Sequence, residues 1–261
     1  MRPPDRFCLA HPDRCAFYSV AMGGLAGLPR PLLEVVVIQP RDVAGAAEGG
    51  ADRLHVLAPG DPVALSPEPG TVSAIGRESE LPMYVLLRLN DSWTTTGGEL
   101  ERLVGLAEDY LACGATGVAF GFLDSDLEID VATCTALADR LPEVPWTFTH
   151  AVDHTLDPRR SWRRLLPLPR LQQVLSAGSP RGMEVGYDDL LATAESDPLV
   201  AARLMAGGGL TAEHVPWLVR QGVRAFHVGP QVRPGGSAKA YVDGGYVRSW
   251  RTLLDDAMAR I

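Results

Sequence analysis

Two histidines, His150 and His227, are the residues best suited to move protons or hold a metal near neutral pH, because imidazole titrates at about 6.5. Asp153 follows His150 by three residues, close enough to orient its ring. Glu34 and Arg88 lie within or at the end of apolar runs, where a charge needs a partner or a task. These five, Glu34, Arg88, His150, Asp153 and His227, are the candidate catalytic residues, and His150 with His227 are the candidate metal ligands. The run Gly207-Gly208-Gly209 precedes Thr211, which reads as a helix N-cap. Free backbone N–H groups there can dock a phosphate or carboxylate, with Ser176 and Gly229 at neighbouring strand ends.

Each feature has a plainer alternative. The glycines equally make a tight turn, and the histidines equally belong to a polar layer of the interior. Arg88 beside Gly207 would strengthen an anion site, whereas Arg88 paired with Glu34 would only neutralise a buried carboxylate. The segment Asp124 to Asp130 resembles a calcium loop, but it lacks the bending glycine, and Asp130 reads as a helix cap. Cys8, His11 and Cys15 form a tight cluster of soft ligands near the N-terminus, read here as incidental.

The elements that must position these groups alternate regularly. Eight apolar runs, 33–38, 53–57, 83–89, 117–122, 146–152, 172–177, 203–207 and 225–229, alternate with amphipathic segments of helical period. Their continuous apolar character suits strands buried on both faces, as in a parallel sheet. Three helix-to-strand joints repeat one chemistry, at Gly49-Gly50-Ala51, Gly114-Ala115-Thr116 and Gly222-Val223-Arg224, where glycine ends a helix in the left-handed conformation. The segment from Gly245 to Ile261 carries Val247, Trp250, Leu253, Leu254 and Met258 at helical spacing and should close the ring. The expected fold is α/β, a single-domain (β/α)₈ TIM barrel over residues 32–261, with the candidate groups at the C-terminal ends of its strands.

Composition narrows the partners. A formal charge of −8 and a pI near 5.2 oppose phosphate backbones and anionic lipid surfaces, so neither nucleic acid nor a membrane is expected. No apolar run is long enough to span a bilayer. Four cysteines, Cys8, Cys15, Cys113 and Cys134, form no disulfide framework, which fits a reducing, cytoplasmic setting without disulfides. Residues 1–31 read as a flexible leader. The stretch from Cys15 to Leu28 imitates a signal peptide poorly, and a start at Met22 would leave residues 1–21 outside the native chain.

The same positions carry a resemblance. Leu33-Glu34-Val35 followed by Gly49-Gly50-Ala51-Asp52-Arg53 resembles the opening of CutC proteins, the family named for copper homeostasis. In order, Leu65-Ser66-Pro67, Arg88, Gly121 to Asp130, Thr147 to Asp153, Ser176-Ala177-Gly178, Met205 to Gly209 and His227 are similar to further motifs of that family. The chain departs from the pattern at His55, where the family has glutamate, and at Thr149, His150 and Asn90. Val35-Val36-Val37 replaces a cysteine-containing first strand. The resemblance implies a barrel able to pair into a homodimer, with copper as its ion. Beside that stand two readings of the residues: an enzyme acting on a small anionic metabolite, and a binding or regulatory barrel without catalysis.

Overall fold

A computed structural model describes residues 30–59 and 63–261. Eight parallel strands close in chain order into one barrel, β1 pairing with β2 on one side and β8 on the other. They are β1 (Leu32–Val37), β2 (Arg53–Val56), β3 (Met83–Leu86), β4 (Gly117–Phe120), β5 (Trp146–Phe148), β6 (Leu171–Ser176), β7 (Leu204–Ala206) and β8 (Ala225–Val228). The helices around them are α1 (Arg41–Gly49), α2 (Pro69–Gly76), α3 (Gly97–Ala112), α4 (Val131–Arg140), α5 (Pro158–Leu165), α6 (Met183–Ser196), α7 (Pro198–Arg203), α8 (Val215–Arg220) and α9 (Gly244–Ala259). The expected (β/α)₈ barrel is therefore present. Among the described residues no helix is long and apolar enough to cross a membrane. The Cys8, His11 and Cys15 cluster and Met22 lie outside the described residues.

Strand alternation divides the side chains into two sets. Leu33, Val35 and Val37 of β1 join Leu54, Val56, Phe120, Phe148 and Phe226 in the large core beneath the helices. The opposite parity faces the barrel axis, where Leu32, Leu175, Met205 and Ala225 form a small apolar layer of their own. Above it the axis carries Glu34, Arg53, His55 and His227, and the site is built around them.

The predicted joints and one predicted cap hold. Gly50, Gly114 and Gly222 all have positive φ, at 91°, 96° and 96°, the left-handed stop that a Cβ would oppose. Asp130 caps α4 by accepting from Thr133 N at 2.9 Å. The final helix closes the ring against α1, where Gly49 lies so near Val247 that a Cβ would collide with it.

Other expectations are corrected. β3, β4 and β5 end two to four residues earlier than the apolar runs, and Arg203 closes α7 instead of opening β7. His150 and Asp153 are thus in a 3₁₀ turn, His150–His154, rather than on β5. Thr211 does not cap a helix: its N–H donates to His214 Nδ1 at 3.2 Å. The helix begins only at Val215, with Pro216 in its first turn, where the missing N–H costs nothing. The glycine run therefore leads into a turn, and the helix-start premise behind its anion site is absent.

The two ends of the barrel sequence are tied by a buried ion pair. Asp42, fully buried on α1, accepts from Arg233 Nη1 at 3.1 Å and Nη2 at 2.7 Å, and from Ile38 N and Val242 N. Removing one partner of such a pair strands the other in a medium that cannot solvate it, at a cost of about 3–5 kcal/mol. Asp42→Ala is expected to lose stability on that scale in urea unfolding. A change below about 1 kcal/mol would show that the pair does not hold these loops.

Candidate functional site

Glu34 is the floor of the site. Its register on β1 sets it level with Arg53 of β2 and His227 of β8, and parity turns all three toward the axis. Arg53 Nε donates to Glu34 Oε2 at 2.6 Å, its Nη1 donates to Gln173 Oε1 at 3.0 Å, and its guanidinium lies 3.9 Å from the Tyr84 ring centroid. Tyr84 in turn donates to Gln172 Oε1 at 2.6 Å. His227 Nδ1 donates to Glu34 Oε1 at 2.7 Å. His55 Nδ1 is 3.4 Å from the same oxygen, is buried, and makes no hydrogen bond there. The His55 and His227 rings meet edge to face at 5.2 Å.

Burial raises the Glu34 carboxyl pKa, but Arg53 and then the two histidines outweigh it and hold the group well below the usual carboxylate range. An ionised Glu34 can only accept, so His227 carries its proton on Nδ1. Burial pulls the His227 pKa down, against the opposing hydrogen bond and charge of Glu34. The ring is therefore neutral at pH 7, with its lone pair on Nε2.

His150 is held in the same way by a separate carboxylate. The 3₁₀ turn brings residues three apart together, and His150 Nδ1 lies 2.8 Å from Asp153 Oδ2. Asp153, buried itself, also accepts from Ser176 Oγ at 2.5 Å, Ala177 N at 2.9 Å and Gly178 N at 3.2 Å. Three donors fix the carboxylate before it fixes the imidazole. Nε2 of His150 has no partner among the described residues.

Both rings border one cavity of about 400 Å³ at the barrel mouth, together with His55, Arg88, Trp93 and Gly208. Arg88 does not reach Glu34. Its Nε and Nη2 donate to the carbonyls of Asn90, Asp91 and Ser92, and its guanidinium stacks on Trp93 at 3.7 Å. Nη1 has no partner among the described residues. The glycine run packs against the rings: a Cβ on Gly207 would come within 2.9 Å of His227 Cβ, and one on Gly208, at φ 77°, within 2.8 Å of His150 Cε1. Gly209 and Gly229 border a neighbouring cavity of about 310 Å³. Ser176 borders neither and serves Asp153 instead.

Among the described residues, one group of three possible metal ligands lies within 4.8 Å: Glu34, His55 and His227. His150 is not part of it. The cysteine thiols are elsewhere, Cys113 against the Pro69 carbonyl and Cys134 buried, with its thiol pKa pushed up to about 12 by that burial.

Arg53 lies in a joint motif, which hides it as a site residue in the sequence, and His55, near the end of the second strand, is not among the candidate catalytic residues. A signal existed: on a strand that begins at 53, parity puts 53 and 55 on one face, so a cation and an imidazole must share the interior.

Fold and site define an eight-stranded α/β barrel with two carboxylate-backed histidines at the end where such barrels carry their working groups. A family model described as the CutC family matches residues 31–232, and the chain belongs to that family. A CutC family protein of Xanthomonas axonopodis pv. citri is 29% identical over 200 residues, which is 75% of this chain and 81% of that protein. The human copper homeostasis protein cutC homolog is 28% identical over 204 residues, covering 75% and 72%. The crystal structure of a CutC protein from Streptococcus agalactiae matches with a TM-score of 0.67 at 20% identity, over 76% of this chain and 98% of that one. An N-(5'-phosphoribosyl)anthranilate isomerase from Pyrococcus furiosus shares the fold at a TM-score of 0.57 and 15% identity, over 87% and 99%.

The pKa shifts predict an acid-labile protein. Because the folded pKa of Glu34 is depressed, its contribution is present above the unfolded value of about 4.3 and is lost as pH falls through the folded one. His227 acts in the same direction at higher pH: below about 6.5 the unfolded chain binds a proton that the native ring resists. His154 and His214, also pulled down by burial, act alongside it. Urea unfolding is expected to show stability declining from pH 7 to pH 5, and His227→Asn is expected to shrink that decline without abolishing it. An unchanged decline in the variant would contradict the neutral assignment of His227.

Proposed function

We propose that the mouth is a proton-transfer site for a small anionic molecule. The observation that carries this reading is the pair of imidazoles, each with Nδ1 committed to a carboxylate and Nε2 left to one cavity. His227, neutral and desolvated, takes a proton at Nε2, and Glu34 stabilises the imidazolium that forms. His150 Nε2, backed by Asp153, is a second acceptor on the same cavity, and the proton that a ring takes up from the ligand is the one it gives back to it. Arg88 supplies the charge for the anion through its uncommitted Nη1, while its other nitrogens keep it in place. Glu34 needs no further cation, because Arg53 already neutralises it. The cavity volume of about 400 Å³ is in the range of small-ligand sites.

Copper handling, the role in the human relative's name, is the second reading, favoured by the Glu34, His55 and His227 group. As it stands that group fits an ion poorly. Donors around a common metal with bonds of about 2.0–2.1 Å lie about 3.3 Å apart in a tetrahedral site, whereas His227 Nδ1 and Glu34 Oε1 are 2.7 Å apart and share a proton. The Arg53 cation occupies the other carboxylate oxygen. No thiol stands at the mouth among the described residues to hold Cu(I), which prefers sulfur.

Inorganic phosphate is the probe for the first reading. Its titration should shift the ring NMR signals of His150 and His227 together and saturably, and Arg88→Ala should weaken the affinity about tenfold or more, as the loss of a charge-assisted hydrogen bond implies. Absence of saturable shifts with phosphate, sulfate or acetate would refute the reading. Stoichiometric retention of Cu(I) or Cu(II) against a competing chelator, lost in His55→Ala and His227→Ala, would establish the copper reading in its place.

A further inference from the structure

The mouth holds a second cavity, of about 310 Å³, on the β1 and β8 side. It shares Leu57, His150, Gly208 and His227 with the first, so the two imidazoles stand at a waist between two lobes. The lobes differ in chemistry. The first contains Arg88 with its uncommitted Nη1, backed by the Trp93 face. The second is walled by Val36, Ile38, Pro59, Pro230 and Ala238.

Besides the two imidazoles at the waist, two polar side chains border the second lobe, and both are largely engaged within the protein. Arg233 gives its guanidinium to Asp42, the Ala240 carbonyl and the Val36 carbonyl. Gln231 accepts from Gly229 N at 3.0 Å and donates to the Leu210 carbonyl at 3.1 Å. Most of their polar capacity is thus spent within the protein, and the other side chains that wall the lobe away from the waist are apolar, so the lobe favours an apolar ligand body. The close packing of Gly229, where a Cβ would meet Val36 at 3.2 Å, keeps this lobe open at its β8 edge.

Resting on the reading of the mouth as a small-anion site, we infer that the ligand is amphiphilic: a carboxylate or phosphate head at Arg88 joined to an uncharged apolar body in the second lobe. Its central atoms then lie at the waist, within reach of Nε2 of both His150 and His227. A compact anion would fill one lobe and leave the other to water. An amphiphile spans both and excludes water from the imidazoles, which strengthens every charge interaction there.

The test is a series of straight-chain carboxylates, acetate, butyrate, hexanoate and octanoate, titrated calorimetrically with inorganic phosphate as the head-only control. Affinity should rise about fourfold per methylene until the second lobe is filled, the factor expected for burying one CH₂, and hexanol should bind at least tenfold more weakly than hexanoate. Ala238→Trp, at an exposed rim position of the second lobe, should flatten the chain-length gain while leaving phosphate affinity unchanged. Phosphate and acetate binding with no gain along the series overturns the amphiphile but leaves the anion site standing. A length gain that survives Ala238→Trp places the tail elsewhere and also overturns it. If no anion of any length binds, the underlying reading fails, and this one with it.

Discussion

A fully buried carboxylate at the axis of a barrel is tolerable only if something cancels its charge. Arg53 does so at 2.6 Å, and the rest of the mouth depends on that contact. The guanidinium is held on its remaining sides by Gln173 and the Tyr84 face, so the pair is closed off below. Its upper oxygen is free to accept from His227. Were Glu34 protonated, it could donate as well as accept, and His227 would no longer be held to the single tautomer that bares Nε2. The ion pair thus acts less as a source of stability, which buried pairs supply weakly, than as a device that determines a protonation state.

The second histidine is also oriented by a carboxylate, which is itself held by different means. Asp153 pairs with no guanidinium among the described residues and is held by a hydroxyl and two backbone N–H groups at the end of β6. One imidazole is therefore anchored to the barrel interior and the other to a loop, and they face the same space. Carboxylate-fixed imidazoles serve metal sites and acid–base sites alike. The decision between them rests on what surrounds the free nitrogens. Here the surroundings are an arginine, an aromatic face and apolar walls, with no sulfur from cysteine among the described residues.

His55 also alters the charge of the floor. The family pattern that the sequence resembles has glutamate at this position, which would put two carboxylates around Arg53. With histidine the layer carries a single carboxylate, Glu34, beside the Arg53 cation. His55 Nδ1 makes no hydrogen bond, although it lies 3.4 Å from Glu34 Oε1, an oxygen that His227 Nδ1 already approaches to 2.7 Å.

Caps, joints and facing parity could be read from the chain alone, because each depends on residues only a few positions apart. Gly50, Gly114 and Gly222 stop helices by their own backbone freedom, Asp130 caps the three residues that follow it, and alternation sets Glu34 apart from Leu33 and Val35. Strand ends were less legible, since an apolar run continues past the last ladder bond when the following turn is buried too, as at 149–152. The false cap at Thr211 arose because Pro216, not the cap residue, determines where that helix begins. What tertiary structure alone decided is which distant residues meet. Glu34 and His227 are 193 positions apart, and only barrel closure and the β1–β8 register put them level. The same register gave Glu34 to Arg53 rather than Arg88, leaving Arg88 to the rim. Pairing across strands is set by register and closure, which belong to the whole barrel, and no local pattern encodes them.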